Sequence, residues 1–382
     1  MRQCLAEVTA WLKSAEAEVW IDAAGNLRGF YAGAEPDAPR LLIGSHLDTV
    51  PNAGAYDGVL GVMLAVALVE GLDGKRLPFG IEVVGFSEEE GIRFGTPFIG
   101  SRALVGRLDD ELMERRDTNG ISVRAAIEQF GLNSGDIPKA ALKDDTLAYL
   151  EFHIEQGPVL ESLQKPLGAV EAIAGQTRMQ FTFVGRANHA GTTPMHLRHD
   201  AITAAAHWIL CVERMAQRTP ELVATVGQIE AQPGAGNVIA GTARVTLDVR
   251  HKTDKVREHA VAALIREAED IARERSLSVQ HVILLKQNAV AMDGFLVRQI
   301  EAAIRKTGCD PERMTSGAGH DAMVLAEKIP AAMVFLRSPG GISHNPAESV
   351  EIDDVAKALE CGVHLLDQLA VSAEFLKRTC RA

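Results

Sequence analysis

RLLIGSHLDTV, residues 40–50, decides how the chain reads. Residues 40–46 form an apolar run of strand length. A strand buried on both faces needs such a run. Ionisable side chains, His46 and Asp48, stand at its carboxyl end. Residues 58–72 follow as a helix that is apolar on nearly all sides and therefore well buried. Residues 81–86 read as the next strand. Strands separated by helices predict a layered α/β domain with a mostly parallel sheet. Open sheets of that kind place their sites at strand ends.

Working outward, residues 146–154 alternate: Ala148, Leu150, Phe152 and Ile154 share one face, and Glu151, His153 and Glu155 the other. The middle third changes character. RMQFTFVG (178–185) alternates as a strand, and residues 200–217 read as a helix with Asp200 as N-cap. Strands follow at 222–230 and 242–250, then a long helix at 254–275 with a capping Asp and a last strand at 278–285. That order is βαββαβ, the ferredoxin-like pattern. It forms a complete unit at residues 176–288, inserted into a first domain made of residues 1–175 and 289–382. After it the α/β character returns, with a helix at 296–306, an apolar strand at 331–336 and a closing helix at 353–369.

The 382 residues carry 47% hydrophobic and 24% charged side chains, which excludes a disordered or collagen-like chain. The longest uncharged apolar run, 58–69, is too short to cross a bilayer. The amino terminus meets an acid too early for a secretory signal, so a cytoplasmic location is expected. A net charge of −12 repels phosphate backbones and argues against nucleic acid, though not against a small anion held by local arginines. The five cysteines (Cys4, Cys211, Cys309, Cys361 and Cys380) include no CxxC pair and predict neither a disulfide framework nor a zinc–thiolate site.

Four segments concentrate ionisable groups at predicted strand ends. GSHLDT (44–49) carries His46 and Asp48, two apart on an extended segment, with Asp57 beyond a loop at the start of the buried helix. A carboxylate beside a metal-bound imidazole fixes its tautomer. SEEEG (87–91) sets three carboxylates together, which suits either a solvated acidic turn or a metal ligand beside a general base. FHIEQG (152–157) ends a strand with His153. GGISHNPAE (340–348) puts His344 on a glycine-rich loop, with GAGHD (317–321) just upstream. Two or three histidines, an Asp and a Glu without thiolate suit a catalytic Zn²⁺ or Mn²⁺ site. Motifs for a zincin (HExxH), a serine hydrolase elbow, a Walker A loop and a dinucleotide fold are absent.

As a set, GSHLDTV with YDG, EEEGIRFG, EFHIEQGPVLE, GQTR with NHAGTTPM, GNVIAG with LDVR, SGAGHDAM and GGISHNPAE resemble the amidase, hydantoinase and carbamoylase branch of the zinc aminoacylase and carboxypeptidase superfamily. The resemblance implies an aminopeptidase-like catalytic α/β domain that binds two divalent metal ions per subunit. An inserted ferredoxin-like domain would be its lid and homodimer interface. It implies His46, Asp57 and His153 on one ion and Asp57, Glu90 and His344 on the other, with Zn²⁺ first and Mn²⁺, Co²⁺ or Ni²⁺ also accepted. Glu89 would be the general base, Asp48 would orient His46, and His189 would stabilise the oxyanion. Asn237 and Arg250 would bind a substrate carboxylate and Gln156 would sit near the scissile group, with His320, Arg178 and Gly341 as further contacts. Glu88 stands where the family usually has Asn or Asp, and Ala240 replaces a usual proline.

The implied activity is hydrolysis of a carbamoyl (ureido) C–N bond on a small acid, as in ureide catabolism. AIAGQTR and SGAGHDAM are most similar to allantoate amidohydrolases. NHAGTTPM and PGAGNVI are as similar to N-carbamoyl-L-amino acid hydrolases. A dipeptidase or aminoacylase of the wider superfamily, and an inactive metal-free binding protein, complete the alternatives.

Overall fold

The computed structural model describes residues 1–378; Cys380 lies outside them. Two compact units are present, one made of Met1–Glu171 and Met292 onward, the other of Ala172–Ala291.

The first unit is built on a nine-stranded mixed sheet. Four neighbouring strands run parallel in the order Gly80–Phe86, Arg40–His46, Thr146–Ile154 and Ala331–Leu336. All four are buried along nearly their whole length, which explains their apolar runs. Antiparallel strands close both sides, Leu27–Tyr31 against Gly80–Phe86 and Leu167–Ile173 against Ala331–Leu336. The helix Val59–Glu70 packs on Arg40–His46 and Thr146–Ile154, with the helix Ile352–Ala370 beside it. Being covered all round, it carries apolar residues on every side. Among the described residues no helix is long and apolar enough to cross a membrane.

The face of residues 146–154 that carries Glu151, His153 and Glu155 is not solvated: each of the three is at most 9% exposed. The strand is central, so both faces are covered, and its polar side chains meet partners inside the protein.

In chain order the second unit carries the strands Gly175–Val184 and Asn188–His189, the helix Ala201–Arg218, the strands Val223–Thr225, Ile229–Gln232, Val238–Ile239 and Thr242–His251, the helix Asp254–Glu274 and the strand Ser278–Gln287. Its main sheet is antiparallel, with Ile229–Gln232, Thr242–His251, Gly175–Val184 and Ser278–Gln287 in spatial order. The helices Ala201–Arg218 and Asp254–Glu274 pack against it. Trp208, Phe181, Phe183, Val245 and Leu264 form the core between them. The Trp208 ring lies 4.4 Å from that of Phe181, and its Nε1 donates to the Leu264 carbonyl at 2.9 Å. Asp200 caps its helix through the Ile202 and Thr203 N–H groups. Asp254 does not cap. The N-cap position is Thr253, and Asp254 instead accepts from Ala289 N (2.9 Å) and pairs with Arg257 (2.7 Å). The expected strand at 222–230 is two short strands, Val223–Thr225 and Ile229–Gln232, both paired with Thr242–His251.

Candidate metal centre

The carboxyl ends of the four parallel strands bring the candidate ligands together. His46 is the last residue of its strand, and the acid turn 88–90 follows Phe86. His153 is next to last in Thr146–Ile154, and the loop bearing His344 follows Leu336. Parallel neighbours end on the same side, so residues separated by three hundred positions converge.

Asp57 is the hub. Its Oδ1 lies 3.6 Å from His46 Nε2 and 3.2 Å from His153 Nε2, and the two imidazole nitrogens are 3.4 Å apart. Its Oδ2 lies 3.0 Å from His344 Nε2, which is 3.6 Å from Glu90 Oε1. Each carboxylate oxygen of Asp57 therefore belongs to a different donor set, His46–Asp57–His153 and Asp57–Glu90–His344. Asp57 reaches this position because Gly58 follows it with φ of +70°. A side chain at Gly58 would collide with the His46 ring, so the residue after Asp57 must be glycine. Burial disfavours the charged form of Asp57, but hydrogen bonds from His153 and His46 outweigh it and hold the carboxyl far below its ordinary range.

The imidazoles are oriented by the main chain. His153 Nδ1 is 2.9 Å from the Ile154 carbonyl, and His46 Nδ1 is 2.9 Å from the Asp48 carbonyl. The Asp48 side chain, expected to orient His46, has its Oδ1 4.0 Å from His46 Nδ1. The Asp48 carboxylate instead accepts the N–H groups of Glu89 (3.0 Å) and Glu90 (3.1 Å) and so fixes the acid turn. That turn bends at Glu88, whose φ is +54°.

Glu89 Oε2 is 3.9 Å from His46 Nε2. Burial pushes its carboxyl well above the usual range; His46 pulls the other way, and Asp321, Glu90 and Asp48 add to the rise. Gln156, with φ of +57°, donates through Nε2 to Asp57 Oδ2 (3.0 Å) and Ser343 Oγ (3.1 Å). Gly341, with φ of +64°, lies on the same loop as His344 and packs against Pro158.

His320 is placed differently from the expected substrate contact. It is 1% exposed, stacks edge-on against His153 at 4.5 Å, and sets Nε2 2.8 Å from Ser316 Oγ. Burial, then the neighbouring His153, hold it neutral, with its pKa well below the ordinary value. It backs a candidate ligand and does not open to solvent. Glu151, His153 and His320 also cluster, but Glu151 already accepts from Ser45 Oγ (2.9 Å) and Ala322 N (3.0 Å). Glu151 and Asp321 were not singled out by sequence. Both are fully buried under the centre, and burial followed by Glu151 raises the Asp321 carboxyl well above its range.

The other expected residues belong to the second unit. His189 and Asn237 come together there: Asn188–His189 pairs with Val238–Ile239, and the Asn237 carbonyl accepts Ala190 N at 2.9 Å. The exposed His189 accepts Gly191 N through Nδ1. Arg178 and Arg250 share Asp248. Arg250 binds both of its oxygens (3.0 and 2.8 Å) and Arg178 donates to one (3.0 Å).

Two His and carboxylate sets meeting on one shared Asp are donors of the kind that hold divalent metal ions. The family model for peptidase family M20/M25/M40 matches residues 42–368, and the chain belongs to that family. It is 42% identical to the N-carbamoyl-L-amino acid amidohydrolase of Geobacillus stearothermophilus, over 95% of this chain and 90% of that protein. It is 37% identical to a probable allantoate deiminase of Oryza sativa subsp. japonica, over 96% of this chain and 82% of the other. A crystal structure of an amidase of the hydantoinase/carbamoylase family from Burkholderia multivorans matches with a TM-score of 0.90 at 33% identity, covering 94% of this chain and 88% of that one. The branch indicated by the sequence motifs is the one these relatives represent.

Proposed function

We propose that the chain is a divalent-metal-dependent amidohydrolase that cleaves the carbamoyl (ureido) C–N bond of a small carboxylic acid, with allantoate as the first substrate. The observation that carries the hydrolytic reading is Asp57, whose two oxygens serve two donor sets. The residues fit cations. The atoms of each set lie within 4.8 Å of one another, and Glu90 Oε1 is a buried acceptor with no hydrogen bond. His46, Asp57 and His153 would hold one ion, and Asp57, Glu90 and His344 the other. When bound, such ions polarise a carbonyl and acidify water.

The chain's own groups do the rest. Glu89, its carboxyl raised well above the usual range by burial, takes a proton from water and returns it to the leaving nitrogen, which departs as an amine or ammonia. Asp48 holds the backbone of Glu89 and Glu90 so that base and ligand keep fixed places. Gln156 would meet the scissile group, Gly341 would be a further substrate contact, and His189 would donate to the oxyanion. Asn237 and Arg250 would bind the substrate carboxylate, Arg250 being held in a fixed plane by Asp248.

Arg250→Ala should raise KM for carboxylate substrates about 10–100-fold, the worth of a charge-assisted hydrogen-bonded pair. Initial-rate kinetics check this, and an unaltered KM assigns the acid to another group. The deciding experiment for the function is ammonia release from allantoate and from a panel of N-carbamoyl-L-amino acids, with Zn²⁺ or Mn²⁺ and with chelator. Allantoate rests on AIAGQTR and SGAGHDAM; the 42%-identical Geobacillus relative favours N-carbamoyl-L-amino acids as the second reading. No metal-dependent turnover of either class would sink the proposal.

The second unit would be the ferredoxin-like lid and the dimer interface. Its edge strand Ser278–Gln287 leaves Val282, Ile283 and Leu284 at least half exposed, and bare apolar edges of that length are normally covered. Light scattering that returned the mass of one chain would overturn the homodimer.

A further inference from the structure

Glu348 is a carboxylate that the proposed chemistry does not use, yet it is 5% exposed and saturated with contacts at the centre. Its Oε1 accepts Tyr56 N at 2.9 Å and Asp57 N at 3.1 Å. Its Oε2 accepts the Ser343 hydroxyl at 3.0 Å. Ser343 Oγ is in turn 3.4 Å from Asp57 Oδ2 and 3.1 Å from Gln156 Nε2. One carboxylate therefore ties the main chain of Asp57 to Ser343, the residue before His344, 286 positions further along the sequence.

The surroundings are shaped to admit it. A side chain at Gly54 would run into Glu348 Cβ and Oε1, so the loop before Asp57 is open only to this carboxylate. The Glu348 backbone is itself anchored, its N–H donating to the Asn345 carbonyl at 2.9 Å, while Asn345 Oδ1 accepts Ala347 N at 2.9 Å. His344 needs that support, because its φ is +53° and its ring is half exposed. The ring itself is met by Asp57 Oδ2 at 3.0 Å and by Gln156 Nε2 at 3.5 Å, while Glu348 acts on the main chain of its loop through Ser343.

We propose that Glu348 is the positioning residue of the centre, holding the shared Asp57 and the His344 loop in one frame. The proposal rests on the reading of Asp57 as ligand to both ions. A group outside the ligand set that fixes its orientation usually affects metal affinity 10–100-fold.

The test is calorimetric titration of metal-stripped protein with Mn²⁺ or Zn²⁺ alone, alongside melting curves with and without the ion. In Glu348→Ala the ion affinity should fall about 10–100-fold. The increment in Tm on adding the ion should shrink with it. Glu348→Gln keeps an acceptor at Oε1 and should stay within about 3-fold of the parent, since charge-neutral amides still accept backbone N–H bonds. A merely structural role would lower both melting curves equally and leave affinity alone; that result overturns the proposal. A Gln variant as weak as the Ala variant also overturns it, because charge and not the hydrogen bonds would then matter. Should Glu348→Ala fail to fold, Gly54→Ala displaces the same carboxylate, and undiminished affinity there overturns the proposal. If the parent protein itself takes up no ion, the two-cation reading fails first; if the parent binds and the variants bind equally, only the role of Glu348 fails.

Discussion

Glu89→Gln should lower kcat by about 10²–10⁴-fold, the contribution usual for a positioned acid or base. The bound-metal content should stay unchanged. The change replaces one oxygen by an NH₂ of nearly equal volume, so packing and the hydrogen bond from Glu89 N to Asp48 survive. What disappears is the ability to take a proton. Burial raises the parent carboxyl well above its usual range, His46 limits the rise, and Asp321, Glu90 and Asp48 add to it, so the group holds a proton more readily than an exposed Glu. Elemental analysis of the variant separates the two readings of the acid triplet. Loss of metal together with rate would make Glu89 a ligand, and an unchanged rate would remove it from proton transfer altogether.

Asp57→Ala should empty both cation positions at once and bring turnover to background. Each oxygen faces a different pair, Oδ1 with His46 and His153 and Oδ2 with His344, so one truncation removes a donor from both sets. It also leaves two buried imidazoles without the carboxylate they contact. The hydrogen bonds that hold Asp57 ionised inside the protein show how strongly the site favours its negative charge. Elemental analysis after dialysis measures the result directly. A variant that retained one tightly held ion would mean that Asp57 serves a single set.

The ligand types were legible because they sit in strings whose local geometry is simple. His46 ends an unbroken apolar strand, Asp57 precedes a glycine at a helix start, and Glu90 and His153 lie at the ends of two more apolar strands. Such patterns need only the periodicity of strands and the position of a turn. The supporting groups were harder to read. The Asp48 carboxylate accepts the N–H groups of the turn at 89–90 while its Oδ1 lies 4.0 Å from His46 Nδ1. His320 reads as a loop histidine but is buried against His153, and Glu151 reads as surface polarity but is the partner of Ser45 and Ala322.

By itself the sequence determined the local elements, the order of the strands along the chain and the chemical kinds gathered at their ends, since these follow from side-chain spacing over a few residues. Only the tertiary structure decided which of those ends are neighbours. It placed Glu348 on the amide of Asp57, divided the two oxygens of Asp57 between two donor sets, and surrounded Thr146–Ile154 on both faces. The reason is that hydrogen bonds and burial depend on distances between segments hundreds of residues apart, and those distances are set by sheet order and packing, which no local pattern encodes.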